Sequence, residues 1–116
     1  MADYSNISDL VQAGAIKRAA ISGSTSGDNT LVAAVTGKKI KVLGLFLISA
    51  GTVAVRLENG VAGPALTGVI SLTATGSGFV LPISFPHWIE TSADTLLNLE
   101  LGGSVQISGS IIYYEE

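Results

Sequence analysis

"IKVLGLFLISAGTVAVRLENG", residues Ile40 to Gly60, is the stretch whose reading decides the fold. Its second half alternates simply, with Val53, Val55 and Leu57 against Thr52, Arg56 and Glu58. That is a strand with one dry face and one wet face. The first half is different. Strict alternation places Ile40, Val42, Gly44, Phe46 and Ile48 on one face, and Lys41, Leu43, Leu45 and Leu47 on the other. Both faces are apolar, yet an antiparallel strand in a small domain usually turns one face to water. Leaving three leucines wet would cost several kcal/mol, at roughly 25 cal/mol per Å². A loop of the same chain, the N-terminal stretch or an identical neighbour could cover them.

Composition favours the neighbour. The chain has 116 residues, 47% hydrophobic and only 13% charged, where ordinary domains carry about 25% charge. Interface cores are depleted in charge. The sequence therefore predicts a homo-oligomer with Leu43, Leu45 and Leu47 in its interface. A central strand covered on both faces by its own chain is the competing reading.

On either side of the decisive stretch the text is strand, turn, strand. Ile16 to Ser22 runs into the small polar loop "GSTSGDN", and Thr30 to Val35 follows. After the Ala50-Gly51 turn and the Thr52 to Glu58 strand, Asn59-Gly60 is a hairpin-type turn signal. Leu66 to Leu72, Phe79 to Ser84, Leu96 to Leu101 and Val105 to Tyr114 complete the series. Pro82 marks its segment as an edge strand or a bulge. Gly44, Gly68 and Gly109 fall inside strands, where glycine signals bulges or close backbone approach. The pattern is all-β, with about eight strands forming an antiparallel sandwich or barrel over residues 16–116. Residues 1–15 read as a short arm of one or two helical turns. Ile7, Leu10 and Val11 sit at helical spacing there, with Ser5 or Ser8 as the cap.

The chemistry of the chain is sparse. There are no cysteines, and the single histidine, His87, stands beside Trp88. A metal site would have to join His87 to carboxylates such as Glu90 and Asp94, a spacing that matches no standard zinc motif. No G-x-S-x-G, phosphate loop or dinucleotide fingerprint occurs. Asp28-Asn29 could touch a cation but reads as a turn. The expectation is a protein that is not an enzyme and carries no cofactor. Exposed rings beside polar groups make His87, Trp88 and Glu90 a candidate ligand loop, with Trp88 plugging one end of the sandwich as the plainer reading. A net charge of −3 with six scattered basic residues argues against nucleic-acid binding. The uncharged run Val42 to Val55 is too short to cross a bilayer as a helix. "MADYSNISDL" lacks the positive charge and apolar run of a signal peptide, so synthesis in a cytoplasm is expected.

Four segments carry a resemblance: "AAISGSTSGDNTLVAAVTGKKIKVLGLFLISAGTVAVRLENG", "LTGVISLTATGSGFVLPIS", "HWIETSADTLLNLEL" and "ISGSIIYYEE". Together they resemble small virion proteins of tailed bacteriophages, most of all the capsid decoration or cement proteins. The resemblance implies a jelly-roll-type β-sandwich, often a homotrimer, seated on the outer capsid surface and bridging subunits of the major capsid protein. In that setting Ile7, Leu10 and Val11 of the arm are the candidate capsid contacts. The alternative within the same world is a tail or head-fibre module that binds a host surface or glycan.

Overall fold

The computed structural model describes residues 4–116, so the first three residues of the predicted arm lie outside the described residues. Among the described residues the elements are α1 (Ile7–Ala13), β1 (Lys17–Gly23), β2 (Gly27–Val32), β3 (Ile40–Ser49), β4 (Val53–Asn59), β5 (Ile70–Leu72), β6 (Gly78–Leu81), β7 (Ile89–Glu90), β8 (Leu97–Leu101) and β9 (Ile107–Glu115). They form two antiparallel sheets. One runs β1-β9-β3-β6, with β7 also pairing to β3; the other runs β2-β8-β4-β5. All the pairings are antiparallel. The chain changes sheets at almost every connection, and the last strands insert between early ones. This nesting is a jelly roll, two Greek keys closed on each other.

The core lies between the sheets. It is built by Ile21, Ile40, Val42, Leu45 and Leu47 from one sheet and by Val53, Val55, Leu57, Leu97, Leu99 and Leu101 from the other. In β4 and β8 the apolar residues alternate into the core, with Glu58 and Asn98 buried on the opposite face. In β3 it is not. Val42 pairs with Tyr113, yet Gly44 pairs with Ile112, so one residue of β3 is extra against β9. That bulge is Leu43. An extra residue inverts the alternation beyond it. Ile40 and Val42 face the core before the bulge, and Leu45 and Leu47 face it afterwards. The faces predicted by strict alternation are therefore inverted from residue 44 onward.

This corrects the predicted oligomer interface. Leu43 and Leu47 are 0% exposed and Leu45 is 4% exposed within a single chain, so none of them is available to a neighbour. Leu45 and Leu47 belong to the central core. Leu43 points out of the sandwich and is covered by α1, where it packs with Leu10 and Tyr114 in a second small core.

A seven-residue helix is too short to persist alone, so its ends and its packing hold it. Asn6, not Ser5 or Ser8, is the cap: its Oδ1 accepts from the Asp9 backbone N–H at 3.0 Å. Asp9 accepts in turn from the Ser5 N–H at 2.9 Å. Gly14 stops the helix at φ 65°, a left-handed conformation that favours glycine. Leu10 is completely buried, and Tyr4 meets the Tyr114 ring edge-to-face at 5.7 Å between centroids. The Tyr114 hydroxyl donates to the Pro86 carbonyl oxygen at 2.9 Å. The arm is thus a lid on its own sheet.

Candidate functional site

Beyond the lid, the outer face of the β1-β9-β3-β6 sheet is bare, and the register shows what it presents. Val80, Phe46, Ser110 and Ala20 form one row across β6, β3, β9 and β1. Gly78, Ile48, Ser108 and Ser22 form the next. Neither row contains a charge. Phe46 is 45% exposed, Ile48 48% and Val80 68%, while Leu45 and Leu47 between them are buried. Ile83, just beyond β6, is also exposed. A groove of about 220 Å³ lies here, lined by Phe46, Ile48, Gly76, Gly78 and Val80. Isolated exposed hydrophobes are ordinary, whereas Phe46, Ile48 and Val80 are grouped in two adjoining uncharged rows.

Strict alternation sets Leu45 and Leu47 outward, whereas the structure buries them and exposes Phe46 and Ile48 instead. Phe46 and Ile48 had been placed on the inner face; the bulge moved them out. The clue was Gly44. A Cβ there would lie 2.8 Å from the Leu81 carbonyl oxygen, the close approach that a glycine inside a strand signals.

The predicted arm contacts divide. Leu10 is spent on the lid, whereas Ile7 and Val11, its neighbours at helical spacing, remain exposed, Val11 the more so.

The His87–Trp88–Glu90 loop is an edge structure. The Trp88 backbone N–H donates to the Val42 carbonyl oxygen at 2.8 Å, and its indole N–H donates to Pro82 at 2.6 Å. Trp88 therefore fixes the chain after β6 against β3, with half its ring still in water. His87 Nε2 is 3.7 Å from a Glu90 carboxylate oxygen, and the same oxygen is 3.9 Å from Lys41 Nζ. Lys41 is bonded more closely to Glu116, at 2.6 Å. Burial pulls the Lys41 ammonium down, but the Glu116 carboxylate outweighs it and raises the pKa above the ordinary value. Asp94 takes no part, because its carboxylate accepts from the Gly37 backbone N–H at 2.5 Å. The set His87, Glu90 and Asp94 is not brought together.

Compared with known proteins, the chain matches no protein-family model, and no curated protein matches it.

Proposed function

We propose that this chain is a capsid decoration subunit of a tailed phage, a homotrimeric cement protein that bridges major capsid protein subunits on the outside of the head. The observation that carries the reading is the uncharged strip of Phe46, Ile48 and Val80 on an otherwise unoccupied sheet face. Three further features support it. The chain is poor in charge throughout. Jelly rolls are common in viral shells, although a fold alone does not assign a function. The sequence resembles decoration proteins over about a hundred residues.

In this reading the strip is buried against a second copy of the chain, and Ile7 and Val11 on α1 meet the coat. The mechanism is stapling. Each trimer spans several coat subunits, so rupturing the lattice must also break its contacts. Interfaces of about 800 Å² per partner, held at several points at once, give tight retention from individually modest contacts. No bond is made or broken.

The test is co-sedimentation with undecorated capsids assembled from the coat protein encoded with it. Saturable binding by the wild-type chain, and its loss in a Phe46→Ser/Val80→Ser variant that still folds, supports the proposal. A chain that stays in the supernatant at every concentration overturns it. The half-exposed Trp88 ring favours a second reading, a module that binds host-surface glycan. Tryptophan fluorescence that shifts saturably with a glycan panel, without capsid binding, would select it.

A further inference from the structure

Asn59-Gly60, the dipeptide that reads as a hairpin turn, does not make a tight one. The chain leaves β4 at Asn59 and folds back on itself. The Asn59 N–H donates to the Pro64 carbonyl oxygen at 2.8 Å, and the Leu66 N–H to that of Leu57 at 2.7 Å. The dipeptide also carries a chemistry independent of the proposed role in a capsid. The carbon of an asparagine side-chain amide is an electrophile, and the backbone nitrogen of the next residue can close a five-membered ring on it. Glycine in that second position has no Cβ to shield the nitrogen. This is the only Asn-Gly in the chain: Asn6, Asn29 and Asn98 precede Ile7, Thr30 and Leu99.

In the folded chain both reacting groups are already engaged. One residue clamps the Asn59 side chain at two points. Its Oδ1 accepts from the Ser92 backbone N–H at 2.9 Å, and its Nδ2 donates to the Ser92 hydroxyl at 2.9 Å. The Gly60 N–H donates to the Leu96 carbonyl oxygen at 3.0 Å. That bond retains the proton the nitrogen must lose before it attacks. Asn59 is also the last residue of β4, paired with Leu97. Ser92 lies just beyond β7, which belongs to the other sheet, so the clamp joins the two sheets at this end. Opening it is a local event, distinct from unfolding of the whole sandwich.

We propose that Asn59 is a latent site of covalent modification, closed by Ser92 and the Leu96 carbonyl and reactive when this end of the sandwich opens. The Gly60 nitrogen gives up its proton and bonds to Asn59 Cγ. The Cγ–Nδ2 bond breaks, and the amide nitrogen leaves as ammonia with that proton. The ring formed is a succinimide. Water then adds to one of its two carbonyls, opening it to aspartate or isoaspartate. Solvent is the only co-reactant. Ring closure needs the two atoms about 3–3.5 Å apart, an approach that the clamp opposes. Either product places a new carboxylate on the residue after Glu58, which is itself buried. Isoaspartate also lengthens the backbone by one carbon between β4 and its loop. When opening is fast compared with ring closure, the rate follows the population of the open form.

The experiment is incubation of the whole purified chain at mildly alkaline pH. Modification at Asn59 is followed by peptide mass spectrometry and by released ammonia, with the same chain unfolded in urea as reference. The expected folded-state rate is at least about tenfold below the unfolded one, and Asn59 is the first asparagine modified in urea. Ser92→Ala removes one of the two clamp bonds at an exposed position. It should raise the folded-state rate several-fold while the circular dichroism stays that of the wild type. Folded wild type reacting as fast as the unfolded chain overturns the proposal. So does an equal rate in wild type and folded Ser92→Ala, or an unfolded chain in which Asn59 stays intact.

Discussion

Leu43 is the residue on which the outer sheet face turns. As the extra residue of β3 it sends its own side chain outward and reverses the side taken by every later residue of the strand. Period-two reading is reliable only while pairing is regular, so a single bulge was enough to exchange Leu45 and Leu47 for Phe46 and Ile48 at the surface. Strand type and length were legible; the inversion was not, because it is fixed by pairing with β9, where Val42 meets Tyr113 and Gly44 meets Ile112, far along the chain. The two faces now make opposite predictions. Leu47→Ala should lower unfolding stability by about 2–5 kcal/mol, as a core truncation, and leave association with partners unchanged. Phe46→Ser should cost no more than about 1 kcal/mol of stability, as an exposed substitution, and reduce association. Denaturant titration beside light scattering separates them.

At the scale of elements, α1 answers what covers the second face of β3, but for only part of its length. Leu10, Leu43 and Tyr114 make a small core of their own. Its apolar members were visible in the sequence, but their meeting depends on the chain turning back at Gly14. Leu10→Ala should destabilise the protein by about 2 kcal/mol or more, and hydrogen exchange should quicken in residues 7–16 before the sandwich. The same end of the molecule sets the alkaline limit. Burial raises the Tyr114 phenol above its ordinary 10.0, and ion pairing with Glu116 prevails over burial to raise Lys41 above 10.5. Both groups hold protons more tightly folded than unfolded. Their contribution is complete below the unfolded values and is lost as pH rises through the folded ones. Tm should therefore fall above about pH 10, and less steeply in Tyr114→Phe. At β9, a Cβ on Gly109 would lie 2.0 Å from the Phe46 carbonyl oxygen. Gly109→Ala should therefore disrupt the β3–β9 pairing, seen as a loss of the cooperative thermal transition. Gly68, read as a strand glycine, lies outside the strands with open space around it.

For the whole molecule, the turn residues revealed a β-sandwich and nearly every strand, because glycine, serine and asparagine clusters punctuate it so regularly. The order of strands within each sheet was not legible, since alternation says which residues are buried and nothing about which strands are partners. Three carboxylates show the same limit: Asp28, Glu58 and Glu100 become neighbours only through the β2-β8-β4 order, and Asp28 alone had looked like a turn residue. The low charge, by contrast, was a property of the whole chain and still needs an explanation, because the structure buries the three leucines and leaves other hydrophobes outside. Our proposal explains both by having the uncharged strip of Phe46, Ile48 and Val80 covered in the assembled shell. The most direct measurement of that claim is binding of the purified chain to undecorated capsids by sedimentation, over a range of concentrations. Saturable decoration that vanishes in the Phe46→Ser/Val80→Ser variant, with its fold intact by circular dichroism, is the expected result. Equal sedimentation of wild type and variant, or none of either, would contradict it.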